Sequence, residues 1–348
     1  MSFLLLIIYI FFTGILLYFG IKNFPGEKYQ FLAIIPFKKS RTGEWYGINI
    51  TYYGLLNAIS YSFSTALFLT LTMSYNISFK TVLFSVLIIL SICMPASKLM
   101  ARLVENKKNT FTVSGASFVG SITAPFVVLI TSYLITKNID IALNESFVVL
   151  SSLAISYITG EGIGRLACLS FGCCYGKKVS DFKGPIKKIF EKFYTVFEGK
   201  TKKISYESGC ENVKTIPVQS VASILFNLTG ILAIIFYSQG YIKTAFLTSV
   251  IVINLFRFLS EFLRNDFRGN KKVSTYQYFS IINIIYSIII SLLFNTSNSA
   301  DFNILNGINE ASKLKYLLIA IFVISFLYTG VSKVTYSTIK FKVMKSNI

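Results

Sequence analysis

The chain has 348 residues, of which 53% are hydrophobic and only 14% are charged, and its mean hydropathy is +0.62. These values exclude a soluble domain of ordinary composition and predict an all-α polytopic membrane protein. The formal net charge of +19 comes without an aromatic-and-basic RNA-binding motif, so we predict no nucleic-acid partner. Membrane topology and contact with anionic lipid headgroups account for the charge instead.

Apolar runs long enough to cross a bilayer predict about nine transmembrane helices, since each crossing needs about 20 residues. These runs begin near Phe3, Thr51, Val82, Phe111, Phe147, Val218, Thr244, Tyr276 and Leu317. The first run lacks a basic start and a small-residue cleavage site. We therefore interpret it as a retained helix and not as a signal peptide.

Lysine and arginine residues crowd alternate loops. The basic ranges are residues 22–49, 100–111, 175–216, 264–275 and 336–348. Because basic residues near span ends stay in the cytoplasm, this alternation predicts an outside amino terminus and an inside carboxyl terminus. One basic loop forms an extramembrane arm of about residues 177–215. The apolar spacing within residues 184–197 suits an amphipathic helix on the lipid surface, and a solvated connector is an equal alternative.

Ionisable residues inside predicted spans are candidate functional residues, because charge in a bilayer pairs, lines a polar cavity or does chemistry. Glu161 and Arg165 are four residues apart and share one helical face. Arg257, Glu261 and Arg264 are spaced four and three apart, so we expect them to project from one helical stripe. Two arginines and one acid leave an excess positive charge, which suits a phosphate. The alternative is that the acid and an arginine neutralise each other and hold helices together.

Three cysteines follow Arg165 at the end of the same apolar run: Cys168, Cys173 and Cys174. A structural zinc site takes four ligands in paired spacings, and the other two cysteines supply no second pair. We therefore predict no metal and no cofactor. Packing as a small apolar side chain is favoured for Cys168. For Cys173 and Cys174, beside Arg165, a thiolate with a lowered pKa is the alternative to packing.

Several segments occur in an order that resembles the prolipoprotein diacylglyceryl transferase family. They are Thr51-Tyr52-Tyr53-Gly54, Gly164-Arg165 followed by Gly172 and Gly176, Pro217-Val218-Gln219, then Arg257, Glu261, Arg264 and Gln277. The resemblance covers about residues 50–295 and implies a seven-helix core there that includes the arm. Residues 1–49 are then an extra transmembrane helix with a basic loop, and residues 296–348 an extra helix with a basic tail.

The resemblance implies an enzyme that moves the diacylglyceryl group of phosphatidylglycerol, or a similar anionic phospholipid, to a cysteine thiol. The acceptor is a lipoprotein precursor or another thiol, glycerol phosphate is released, and the location is the cytoplasmic membrane of a bacterium. Arg165 and Arg257 then hold the lipid phosphate and Glu261 orients them, with Tyr53 as a fourth catalytic residue. The implied substrate-binding residues are Gly164, Gly172, Gly176, Gln219, Arg264, Gln277, Cys168 and Ser114.

The chain also departs from the family pattern. It contains no histidine, and residues 111–116 replace the stretch in which the family has a His-Gly pair. Cys168 replaces an asparagine and Ala222 a glutamate. Imidazole catalysis is thereby excluded, which leaves Glu261, Tyr53, a thiolate or the acceptor's own ionisation for proton removal. The alternative function is a non-catalytic relative that binds phospholipid headgroups in a membrane assembly role.

The predicted sidedness conflicts with the resemblance. The family places its polar site on the outer face of the cytoplasmic membrane. Here the basic loops flank the ends of the spans that carry the motifs, so the positive-inside rule places the site inside.

Overall fold

Helices form most of the chain. The structure, a computed structural model, describes residues 2–105, 112–266, 273–294, 302–340 and 344–347. Its helices are α1 (Ser2–Asn23), α2 (Tyr52–Met73), α3 (Phe79–Glu105), α4 (Val113–Thr136), α5 (Ile139–Phe171), α6 (Gly184–Phe190), α7 (Lys203–Ser208), α8 (Val218–Ser238), α9 (Ile242–Ser260), α10 (Thr275–Leu293), α11 (Ile304–Lys313) and α12 (Lys315–Thr329). Its strands are β1 (Phe31–Lys39), β2 (Trp45–Thr51), β3 (Thr195–Val196), β4 (Lys214–Thr215) and β5 (Val331–Ile339).

Within the described ranges, seven helices are long and apolar enough to cross a membrane: α2, α3, α4, α5, α8, α9 and α10. The predicted all-α polytopic membrane class is therefore confirmed. The sequence predicts two further spans, and the structure resolves them differently. Helices α11 and α12 meet at a bend of 65° and form at most one span, and α1 has a shorter apolar stretch from Tyr9 to Asn23. Phe111, the predicted start of the fourth span, lies outside the described residues.

Helix α5 is the central helix of the bundle, and it packs against α2, α4, α8 and α9. Its 33 residues begin at Ile139, eight residues before the predicted start at Phe147. Two hydroxyl groups fix its neighbours: Ser60 on α2 donates to the carbonyl oxygen of Gly160 at 2.5 Å, and Ser223 on α8 to that of Gly162 at 2.5 Å. Small residues let helices approach this closely in a membrane. Glu161, which lies between the two glycines, is thereby held in place.

A three-stranded antiparallel sheet lies at one end of the helices, in the order β1, β2, β5. It joins segments from the two ends of the chain, since Ile48 on β2 pairs with Tyr336 on β5. Helix α12, which precedes β5, packs against α2, which follows β2. The prediction of helices alone misses this sheet because it rests on hydropathy over bilayer-length windows.

The basic arm has a fold of its own. It contains α6, α7 and a short antiparallel pair of strands, β3 and β4. Of the predicted amphipathic stretch at residues 184–197, only Gly184–Phe190 is helical. Phe197, at its end, is fully buried, whereas Ile189 and Phe193 are exposed. The arm is therefore neither one amphipathic helix nor a plain connector.

A buried lysine holds the arm against the helices. Lys202 is completely buried, and its Nζ donates to the carbonyl oxygens of Phe24, at 3.0 Å, and Ser170, at 2.7 Å. Burial lowers the pKa of Lys202 to about 7, although Glu27 and Glu198 favour the charged form. A neutral amine has two N–H groups, and the two carbonyl oxygens accept both.

Candidate active site at the basic end of the helices

A cavity lies where α5 and α9 end and where α4, α8 and α10 begin. Five predicted site residues line it: Ser114, Arg165, Arg257, Glu261 and Arg264. Asn254, Ser280 and Asn283 add polar groups from deeper in α9 and α10. The volume is about 20 Å³, which is room for about one water molecule. A larger ligand therefore requires the surrounding side chains to move apart.

One carboxylate joins the two arginines of this cavity. Oε1 of Glu161 accepts from Nη2 of Arg165 one turn further along α5, and it lies 3.5 Å from Nη2 of Arg257 on α9. All three side chains are 11–14% exposed. Two guanidinium groups that share one carboxylate retain a net positive charge. Their Nε atoms are buried, and neither has a hydrogen-bond partner among the described residues.

Arg257 has two further contacts that fix its direction. Its Nη1 donates to the hydroxyl of Ser117 on α4 at 3.0 Å, and its Nη2 donates to the hydroxyl of Tyr157 on α5. Helices α4, α5 and α9 are thus joined through one guanidinium group. The guanidinium carbon also lies 5.5 Å from the ring centroid of Tyr157, and these contacts leave the Nε of Arg257 without a hydrogen-bond partner among the described residues.

Arg264 lies beyond the predicted helical stripe. Helix α9 ends at Ser260, so Glu261 caps the helix and Arg264 follows a turn. Asp266 accepts two hydrogen bonds from Arg264, both at 2.7 Å. Burial opposes the charge of Arg264, but Asp266 and then Cys174 raise its pKa well above the ordinary value. The excess positive charge expected of the stripe is therefore partly neutralised by Asp266 and Glu161, which lie outside it.

The predicted glycines shape the backbone around the site. Gly172 ends α5 in the left-handed region at φ +72°, which glycine adopts without strain. A Cβ on Gly176 would lie 2.4 Å from the carbonyl oxygen of Ile216, and Gly176 pairs with Arg264 in an isolated β-bridge. Gly164 faces α2, where a Cβ would contact Ser60 at 3.5 Å.

The two predicted glutamines donate hydrogen bonds to backbone carbonyl oxygens, and neither side chain lines the cavity. Gln219 donates from Nε2 to the carbonyl oxygen of Cys173 at 2.8 Å. Gln277 forms a capping box with Ser274 at the start of α10, and its Nε2 donates to the carbonyl oxygen of Phe258 at 3.2 Å. Tyr53 packs against Phe171, with ring centroids 5.5 Å apart and ring planes tilted by 55°.

The three cysteines come together next to Arg165. The Sγ atoms of Cys168, Cys173 and Cys174 lie within 4.8 Å of one another, and all three thiols are free. Cys168 lies near the other two because the left-handed conformation of Gly172 turns the chain back towards α5. The spacing of the cysteines in the sequence does not reveal this turn.

The sequence profile of the prolipoprotein diacylglyceryl transferase family matches residues 44–293, more than two thirds of the chain. The chain belongs to this family. The resemblance stated from the motifs is thereby confirmed. A relative from Clostridium tetani (strain Massachusetts / E88), named phosphatidylglycerol–prolipoprotein diacylglyceryl transferase, is 29% identical over 191 residues, which is 54% of this chain and 66% of the relative.

The family match contains every residue of the cavity and the three cysteines. Of two residues that contact the arginines, the sequence analysis placed Glu161 on one face with Arg165 but gave it no role in the site, and it missed Tyr157. Glu161 had a signal, its spacing of four from Arg165, but its contact with Arg257 joins two helices about a hundred residues apart in the chain. Tyr157 had no distinguishing signal.

Proposed function

We propose that the protein is a diacylglyceryl transferase of the bacterial cytoplasmic membrane, which moves the diacylglyceryl group of phosphatidylglycerol to a cysteine thiol of a lipoprotein precursor. The observation that carries this is the pair Arg165 and Arg257, joined by Glu161 at the edge of the spanning helices. Guanidinium groups suit phosphate because their planar donors match its oxygens. Family membership supports the same chemistry.

In this mechanism the acceptor sulfur attacks the glyceryl carbon that carries the phosphate. An S–C bond forms, the C–O bond to the phosphate breaks, and the electron pair leaves with glycerol phosphate. The acceptor's thiol proton passes to a base or to solvent. Arg165 and Arg257 stabilise the negative charge that develops on the leaving phosphate, and they are already oriented before the reaction.

Glu161 takes the orienting role in this proposal because it lies between the two arginines. Glu261, which lines the same cavity, remains a proposed catalytic residue together with Tyr53. Both are candidates for removing the thiol proton, since the chain has no histidine. Arg264, which Asp266 neutralises, contributes to the shape of the cavity more than to its positive charge.

The test is transfer in a defined membrane. The purified protein is incubated with phosphatidylglycerol vesicles and a lipobox peptide, and mass spectrometry reports the diacylglyceryl adduct. We expect an adduct with the wild type and its loss with Arg165→Ala. The matched control is Arg41→Ala, which changes an exposed arginine of the β1–β2 turn and should leave transfer unchanged.

A second function is favoured by one observation, the absence of histidine from a family whose pattern includes it. In that case the protein binds phospholipid headgroups without turnover. A folded wild type that binds phosphatidylglycerol vesicles but forms no adduct would support this function and contradict the transferase.

A further inference from the structure

Three thiols converge at the carboxyl end of α5, beside the arginine pair. The Sγ atoms of Cys168 and Cys174 are 4.0 Å apart, and that of Cys173 is within 4.8 Å of both. Sulfur atoms bound to one zinc ion lie about 3.8 Å apart, given a Zn–S distance of about 2.3 Å and tetrahedral angles. Movements of an ångström or less therefore bring all three into bonding distance of one ion.

The fold, and not chance proximity, holds the thiols together. Cys174 has φ +57°, a left-handed conformation that is unfavourable for a residue with a side chain. The backbone N–H of Cys173 donates to the carbonyl oxygen of Cys168 at 3.1 Å, and Gln219 on α8 binds the carbonyl oxygen of Cys173 at 2.8 Å. Hydrogen bonds to α5 and to α8 thus hold the loop in the conformation that brings the three thiols together.

Two cationic side chains lie near the cluster. Arg165 interacts electrostatically with Cys168 and Cys174, and Lys203 with Cys173 and Cys174. A divalent ion with three thiolates has a net charge of about −1, from thiolate ligands that must be deprotonated. Nearby positive charge stabilises such an anionic site. Within the described residues, this is the one group of at least three cysteine and acidic side chains close enough to share an ion.

We propose that Cys168, Cys173 and Cys174 bind one Zn²⁺ whose fourth position takes the thiol of the acceptor cysteine. The missing second cysteine pair argues against a closed structural site, but catalytic zinc sites have three protein ligands and an open position. A thiol that coordinates zinc is deprotonated outright. The site therefore supplies the nucleophile in a chain that has no histidine.

This inference rests on the proposed function. The acceptor thiol loses its proton to water as its sulfur binds Zn²⁺. That sulfur then forms the S–C bond, while the C–O bond breaks and its electron pair leaves with glycerol phosphate. The thioether product is a weaker ligand than the thiolate and leaves the ion. Zinc is neither oxidised nor reduced.

The first test is metal content. The full chain is purified in detergent under a phosphine reductant, loaded with Zn²⁺, dialysed and analysed by mass spectrometry for metals. We expect about one zinc per chain for the wild type and for the control Cys93→Ser, and about a tenth or less for Cys174→Ser. Zinc release on titration of the wild type with a mercurial gives the same answer if the variant does not fold.

The second test reports the open position. With Co²⁺ in place of Zn²⁺, thiolate coordination gives a charge-transfer absorption. We expect a lipobox peptide to change this spectrum and the same peptide with serine for cysteine to leave it unchanged. A cobalt spectrum that ignores the cysteine peptide would contradict the role of the fourth position.

Two outcomes separate this inference from the proposed function. If zinc-free protein transfers the diacylglyceryl group at the wild-type rate, or if the wild type binds no more zinc than Cys174→Ser, the zinc proposal is overturned and the transferase stands. If zinc and peptide bind but no adduct forms, the metal site is supported and the transferase is contradicted. We expect chelation to reduce transfer at least about tenfold, and zinc to restore it.

Discussion

At the scale of single residues, Glu161 decides the charge balance of the site. Two guanidinium groups buried near each other repel, and a shared carboxylate offsets that repulsion while leaving one positive charge. The serine hydroxyls on either side hold the helix backbone next to Glu161 and do not compete for the carboxylate. In the proposed mechanism, the position of this one side chain makes two arginines available to a phosphate.

Replacing Glu161 by alanine should destabilise the protein by about 3–5 kcal/mol, because it leaves two buried cations without their shared partner. Phosphatidylglycerol should restore part of that loss, since its phosphate takes the place of the carboxylate. The thermal midpoint in detergent, with and without added phosphatidylglycerol, measures both effects.

The control for this change is Glu310→Ala. Glu310 pairs with Lys313 on the surface of α11, and such exposed pairs contribute about 1 kcal/mol or less. An equal response of Glu161→Ala and wild type to phosphatidylglycerol would contradict phosphate binding at the arginine pair.

Lys202 should give the protein a stability that rises with pH. Its pKa is lowered to about 7 in the folded arm, against about 10.4 in an unfolded chain. Between these values the unfolded state binds more protons, so the free energy of unfolding increases as pH rises from about 7 to about 10, by up to about 5 kcal/mol. Below pH 7 this contribution is absent.

The measurement compares thermal midpoints of wild type and Lys202→Met across that pH range. The slope is the readout, since Met also removes two hydrogen bonds at every pH. Lys200→Met, two residues away and exposed, should keep the wild-type slope. A wild-type slope in Lys202→Met would assign the pH dependence to other groups.

At the scale of elements, the packing of α2 against the carboxyl end of α12 depends on a close approach of two glycines. A Cβ added to Gly54 would lie 2.0 Å from the Cα of Gly330, so the backbone itself has to move. The same junction carries a hydrogen bond from Thr51 Oγ1 to the carbonyl oxygen of Gly330 at 2.9 Å. Strand β2 and helix α2 are thereby fixed to the last helix.

Gly54→Ala should therefore destabilise the protein by about 1–3 kcal/mol through overpacking. Gly14→Ala on α1 is the matched control, because nothing lies within 4 Å of its added Cβ, and alanine there should be neutral or slightly stabilising, by about 0.5–1 kcal/mol. The thermal midpoints of the two variants, measured in the same detergent, test this difference in stability. Equal values would show that α12 moves away from α2 without loss.

The spanning helices could be predicted from sequence because bilayer-length hydropathy is a local signal. The elements that the prediction missed depend on contacts between residues far apart in the chain. Strand β2 pairs with β5 almost three hundred residues later, and Lys202 binds the arm to distant backbone carbonyl oxygens. The same division holds in the site. Arg165, Arg257 and Glu261 were found as charges within spans, whereas the contact of Glu161 with Arg257 depends on how α5 and α9 pack.

At the scale of the whole molecule, the basic segments gather at the end of the bundle that carries the cavity. Successive spans alternate in direction, so the carboxyl ends of α3, α5 and α9, and the segment that precedes α2, lie at this end. The positive-inside rule then predicts that the site and the arm face the cytoplasm.

Labelling of introduced cysteines in intact cells tests this orientation. Ser180 lies in the arm and Gln239 follows α8 at the other end, and both are exposed. We expect a membrane-impermeant maleimide to label Gln239→Cys at once and Ser180→Cys only after the cells are opened, with the unsubstituted chain as the blank. The reverse pattern would place the site on the outer face, where exported acceptors arrive.

The sheet of β1, β2 and β5 is completed only late in synthesis, because translation runs from the amino to the carboxyl terminus. Strand β2 is made before the first core span, but its partner β5 is made only after the last helix. The edge of β2 is therefore unpaired while the membrane helices are inserted. It can pair with β5 only after α12 has been synthesised. A chain that ends before residue 331 leaves this edge of β2 open to other chains, so β5 protects the edge of β2.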